Sequence, residues 1–198
     1  NIDRLVTIFR AARRSGRTLI LDMYTAVVLR AAGNPRLPQA EWPEVRVYLP
    51  RSQKRTVIRA EAFELAGSFA ASRIYPEHLA GAAAGSVMLF RPGMMRELEE
   101  AQCLEGAHVI YSMWTGYLGE DRQKPFHESL QRLAIPMDVC HTSGHAAPPD
   151  LKRLVEAFRP RAVVPIHSEV PQRYLELYDN VTLRADGEWW PASERQDE

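Results

Sequence analysis

The feature that most constrains this chain is a repeated order of elements: a helix-like segment, a glycine, then a short apolar run. Ser15-Gly16 precedes residues 18–21, Gly85 precedes Val87 to Phe90, and Gly106 precedes Val109 to Tyr111. Helices alternating with short apolar strands predict a mostly parallel sheet covered on both faces, because each strand must return through a crossover before the next can pair beside it.

Local chemistry fills in the remaining elements. Leu5, Ile8, Phe9 and Ala12 follow helical spacing behind Asn1 or Asp3 as a cap. Residues 25–32 read as a helix, and 45–49 as a strand after a surface loop around Pro35, Pro38 and Pro43. Residues 60–72 and 125–133 read as helices. A boundary is expected near Arg132, followed by strand 137–140, helix 149–158, strand 162–166, helix 171–178 and strand 181–184. Asp186-Gly187 marks a hairpin turn, and residues 193–198 a frayed tail.

Composition narrows the function classes. Lys plus Arg and Asp plus Glu both number 25, so net charge draws the chain toward neither nucleic acid nor an anionic membrane, and any such attraction is local. Two cysteines, Cys103 and Cys140, make no disulfide framework and suit a reducing cytosol. No run of about 20 apolar residues occurs and the amino terminus has no signal-peptide pattern, so a cytoplasmic location is the expectation. The opening Asn1-Ile2-Asp3 leads straight into a helix without a Met, which suggests a missing amino-terminal portion.

The most informative segment for chemistry is Cys140-His141-Thr142-Ser143-Gly144-His145-Ala146, a strand running into a loop of small residues that presents a histidine. Twenty-two residues on, Pro165-Ile166-His167-Ser168-Glu169 ends a strand, helix, strand unit. His145 and His167 would then lie past the carboxy ends of neighbouring parallel strands, the edge where open α/β sheets place their sites. Imidazole suits that edge, since one nitrogen can bind a divalent metal or shuttle a proton while the other is held by an acceptor. Spacing alone leaves open that these are two polar loop residues.

Ser143-Gly144-His145-Ala146, the helix Leu151-Lys152-Arg153-Leu154 and Pro165-Ile166-His167-Ser168-Glu169 resemble the end of the metallo-β-lactamase-fold hydrolases of the β-CASP group. Ribonuclease J and the messenger-RNA 3′-end-processing endonuclease belong to that group. The tight resemblance spans residues 139–169, and residues 1–132 are loosely similar to the inserted β-CASP domain. The resemblance implies an α/β protein with a Rossmann-like parallel-sheet region of β-CASP type over 1–132. A carboxy-terminal β-α-β segment of a metallo-β-lactamase fold then occupies 133–198. It implies a nuclease with two zinc ions cleaving RNA or DNA, with His145 as proton donor near the scissile phosphate and His167 as a zinc ligand. Ser143 and Gly144 would shape the substrate loop, and Glu169 would orient His167.

Two departures accompany the resemblance. The motif His-x-His-x-Asp-His is absent from the chain, so the metal site is incomplete and this piece alone is expected to be inactive and not to retain zinc. Ser168 stands where many relatives have glycine. Other readings are a non-catalytic nucleic-acid-binding module and a hydrolase of small esters or lactones. Whether RNA or DNA is the partner, and whether the chain pairs with itself, stays open.

Weaker candidates have plainer explanations beside the functional ones. Asp22 is read as a helix cap, and His141 as a core or supporting histidine. His78, His108 and His127 lack ligand spacing. The clusters Arg10, Arg13, Arg14, Arg17 and Arg51, Lys54, Arg55, Arg59 could follow a phosphate backbone or simply be solvated surfaces. Trp114 and Tyr117 could stack on bases or anchor their loop.

Overall fold

The computed structural model describes residues 1–141 and 146–191. The chain divides into two compact units, Asn1–Thr142 and Ser143–Glu198. The expected tail at 193–198 lies outside the described residues, as do Ser143, Gly144 and His145.

The first unit is built on a four-stranded parallel sheet. Helix α1, Ile2–Arg14, is capped by Asn1, whose side chain accepts from the Arg4 N–H, and Arg13 and Arg14 complement the carboxyl end of its dipole. Gly16, at φ +66°, turns the chain into β1, Thr18–Asp22. Helix α2, Met23–Ala31, leads toward β2, Val45–Tyr48, which is followed by α3, Arg51–Arg59, and α4, Phe63–Gly67. Then come β3, Arg73–Ile74, α5, Pro76–Ala82, β4, Ser86–Met88, and α6, Met95–Glu100. The sheet order is β3-β2-β1-β4, with Leu19 opposite both Val45 and Val87.

Alternation along the strands produces the two covered faces that the element order predicts. Leu19, Leu21, Val45 and Val47 pack with Leu5 and Phe9 of α1, Ala26 and Leu29 of α2, and Val57 of α3. On the opposite face Ile20, Tyr48 and Ile74 pack with Leu79 of α5 and Leu98 of α6. Side chains such as Leu19 and Leu21, both 0% exposed, each contribute roughly 1.5–3 kcal/mol through burial.

A smaller parallel pair completes this unit. Strand β5, Val109–Tyr111, pairs with β6, Met137–Val139, and helix α7, Lys124–Arg132, supplies Phe126 and Leu130 to a cluster that includes Met95 and Ile135.

The middle of the chain differs from the sequence reading. Residues 60–72 do not form one helix: α3 occupies Arg51–Arg59, and Glu61 at φ +51° breaks the chain before α4. The N-cap of α3 is Pro50, which has no side chain to cap with, so a local start signal is missing. The cap comes from tertiary structure instead. Glu97 of α6, only 6% exposed, accepts the Arg51 N–H at 3.0 Å and the Tyr48 hydroxyl at 2.9 Å.

In the second unit, helix α8, Pro148–Phe158, stands where the sequence places it and ends on Arg159 at φ +46°. The expected strands 162–166 and 181–184 reduce to a single parallel bridge between Val163 and Val181. Residues 171–178 form a 3-10 segment, Pro171–Glu176, in place of a full helix. Gly187 is in a turn at φ +78°, but no strands flank it, so the expected hairpin is absent among the described residues. Glu188 fastens that turn through the Ala185 N–H and Arg184, and those contacts hold its carboxyl below the usual range. No residue in 146–191 is buried. Phe158 at 75%, Ile166 at 74% and Trp189 at 97% exposure leave this unit without a core among its described residues. No helix among the described residues is long and apolar enough to cross a membrane.

Candidate metal and nucleic-acid site

His167 follows the Val163–Val181 bridge, where the Val163 N–H donates to the Asn180 carbonyl at 2.9 Å and the Thr182 N–H donates to the Val163 carbonyl at 3.0 Å. The backbone at His167 turns into the left-handed region, φ +53°, and its side chain is exposed. Left-handed backbone in a residue other than glycine is uncommon and re-aims the side chain away from the strand direction. Ser168 is half-buried and Glu169 exposed.

Imidazole is chemically suited to zinc, but zinc sites use three or four protein ligands. Among the described residues no group of three or more His, Cys, Asp or Glu side chains could hold a metal ion. The donor set of the described residues therefore does not fit a zinc site by itself. The convergence of His145 on His167 lies outside the described residues, together with Ser143 and Gly144.

The other histidines have local partners. The Nδ1 of His141 lies 3.3 Å from the Ser112 carbonyl, His108 pairs with Asp138 at 2.9 Å, and the Nε2 of His127 lies 3.2 Å from the Leu118 carbonyl. His78 meets the Tyr75 ring edge-on, with centroids 6.2 Å apart. Trp114 and Tyr117 form a T-shaped pair at 5.3 Å, and the Trp114 ring covers Gly116 so closely that a Cβ there would lie 2.3 Å from it. This is the loop-anchoring arrangement.

The two basic clusters separate by their engagement. Arg13 lies over the Phe9 ring, and Arg17 donates to the Ala84 carbonyl at 2.9 Å. Arg51 is ion-paired with Glu100. Lys54, Arg55 and Arg59 are exposed on α3, a helix without an acidic residue.

Sequence reading identified Asp22 as a cap but missed the cluster built on it. Asp22, 1% exposed, caps α2 through the Thr25 N–H at 3.0 Å and also accepts from the Thr25 hydroxyl at 2.9 Å. Gln53 of α3 donates to it at 2.8 Å, and Arg91 donates to it through Nε at 3.1 Å and Nη2 at 3.0 Å. These residues are 31 and 69 positions away in sequence, so no local motif announces the cluster. The available signal was a charged residue just past an apolar strand, which becomes informative only when the strand order is known.

Residues 137–174 match the family model described as the Zn-dependent metallo-hydrolase RNA specificity domain. The match covers a minor part of the chain and supports the metallo-β-lactamase/β-CASP resemblance, with zinc and RNA as the associated chemistry. Searches of characterised proteins and of solved structures give no match.

Proposed function

We propose that this chain is the carboxy-terminal part of a zinc-dependent nuclease of the β-CASP group acting on RNA. Residues 1–132 would form its β-CASP-type region and 133–198 the closing segment of its metallo-β-lactamase fold. The single observation that carries the reading is the match over 137–174, which spans His145, His167 and Glu169. The bare apolar side chains of the second unit support it as well. Leu154, Phe158, Ile166 and Val170 are each 48–75% exposed, apolar side chains that a folded neighbour would cover.

In this reading His145 donates a proton to the leaving oxygen, and His167 contributes one imidazole to a metal whose other ligands come from outside the described residues. Ser143 and Gly144 form the substrate loop and Glu169 orients His167. The test uses the complete protein, with bound zinc measured by elemental analysis and cleavage followed on labelled RNA. His145→Ala should lower turnover by about 10² to 10⁴-fold, the usual contribution of a positioned general acid, while zinc content stays unchanged. His167→Ala should lose zinc and activity together. Equal zinc loss in both variants, or full activity in both, would refute the assignment.

One observation favours a second reading, a nucleic-acid clamp without catalysis: Lys54, Arg55 and Arg59 are exposed on α3, a helix without an acidic residue. A complete protein that binds RNA but takes up no zinc would establish it.

A further inference from the structure

The strand order makes the gap between β1 and β4 the point where chain connections leave the sheet in opposite directions. From β1 the chain winds outward through β2 and β3, then crosses to the other side of β1 to add β4. Beyond the carboxy ends of strands at such a switch point, open parallel sheets have a crevice that admits ligands. Asp22 ends β1, and Arg91 lies just past β4. Their ion pair, at 3.0 Å, straddles that gap.

The arrangement exceeds what a helix cap needs. Thr25 alone suffices to cap α2 on Asp22, yet Gln53 and Arg91 converge on the same carboxylate. Two of the five N–H groups of Arg91 are directed to Asp22, which fixes the guanidinium while its side chain stays 53% exposed. An arginine held in this way gives up little further side-chain freedom when it meets a second anion. The carboxylate is 1% exposed, so the charge this sheet edge offers to solvent is that of the cation.

An aromatic face stands beside it. The Tyr24 N–H donates to the Gln53 Oε1 at 2.9 Å, which holds the backbone beneath the ring. The ring is 61% exposed, with the Arg91 guanidinium carbon 5.9 Å from its centre. Capping does not account for so exposed a tyrosine. Lys54 follows Gln53 on α3, its side chain exposed and in no ion pair among the described residues.

The geometry points to a binding site for single-stranded RNA at this sheet edge, with Arg91 and Lys54 on phosphates and Tyr24 stacked on a base. The inference rests on the RNA reading proposed above and deepens it. A lone exposed aromatic beside cations suits an unpaired strand, because a base must be out of its helix to offer its face. Neither a duplex nor an acidic peptide would use the ring in this way.

The test titrates the full chain against a fluorescently labelled single-stranded RNA at several salt concentrations. Tyr24→Ala should weaken binding about 5- to 150-fold, the usual range for loss of one stacked base, and Tyr24→Phe should retain it. Lys54→Glu should weaken binding and flatten the logarithmic salt dependence by about 0.7 for each phosphate that is no longer neutralised. Arg36→Glu makes the same charge change in the loop before β2 and thus at the opposite sheet edge; it should bind as the parent does. RNA binding that ignores Tyr24→Ala, or that falls equally with Arg36→Glu and Lys54→Glu, would overturn this site and leave the RNA reading standing. Displacement by polyglutamate as effective as by unlabelled RNA would overturn the choice of occupant. No binding at low salt would remove the site and the clamp reading, while zinc content and cleavage by the complete protein would still judge the nuclease.

Discussion

Removing the Glu97 carboxylate should expose how far α3 depends on a cap supplied from another helix. Glu97 accepts two donors, the buried Tyr48 hydroxyl and the Arg51 N–H, and Pro50 can replace it at neither. A buried donor left without a partner costs about 1–3 kcal/mol and a lost helix cap about 0.5–2 kcal/mol, so Glu97→Ala, which orphans the Tyr48 hydroxyl and uncaps the part-buried Arg51 N–H, should cost roughly 1.5–5 kcal/mol. Near the middle of that range, about 3 kcal/mol, Tm should fall by about 6–12 °C, taking about 2–4 °C per kcal/mol for a chain of this size. Glu97→Gln keeps an acceptor and should cost less. The sharper outcome is a change of sign between backgrounds. Tyr48→Phe should destabilise the parent by about 1 kcal/mol but stabilise Glu97→Ala, because there the hydroxyl is already unpaired. Urea unfolding of the four proteins, followed by circular dichroism, measures the cycle. Additive effects, or a Glu97→Ala cost near zero, would refute the tertiary cap.

The same pair sets an alkaline limit: burial first, then the hydrogen bond and charge of Glu97, push the Tyr48 phenol well above its ordinary value. A raised folded-state value means its stabilisation is complete below the unfolded pKa of about 10 and disappears as pH climbs toward the folded value, so urea midpoints should fall above that point and Tyr48→Phe should flatten the decline. Burial also pushes the Cys103 thiol up, and Cys140 is exposed, so a thiol reagent at pH 8 should label Cys140 first, as Cys→Ser variants read by mass spectrometry would show. Gly116→Ala should swing Trp114 off its loop and cost about 0.5–1.5 kcal/mol as the T-shaped pairing with Tyr117 breaks, detectable as altered tryptophan fluorescence and a lower Tm. Replacing Leu154 and Phe158 with Glu should lower binding of an apolar dye by the isolated chain without shifting the unfolding of the unit formed by Asn1–Thr142, since neither side chain is buried.

What the sequence determined by itself was the type and order of elements whose cause is local. A cap at Asn1 or Asp3 and a stop at Ser15-Gly16 bounded α1, the apolar run Leu19, Ile20 and Leu21 implied a strand covered on both sides, and the recurrence of helix and strand implied parallel pairing. The small-residue segment with His145 and the Pro-Ile-His run at His167 could be read as candidates for chemistry because each is contiguous in the chain. Tertiary structure alone decided where distant residues meet. Helix α3 begins at Arg51 because Glu97, 46 residues away, accepts its first N–H, and Asp22 became the centre of a hydrogen-bonded cluster with Arg91 because β4 adds beside β1. The segments at 162–166 and 181–184 have the apolar runs of strands, yet among the described residues they pair only at Val163 and Val181, because a ladder and a core depend on neighbours that a local pattern cannot supply. Periodicity reports which face a residue prefers, whereas partners separated by tens of residues are chosen by strand order and packing.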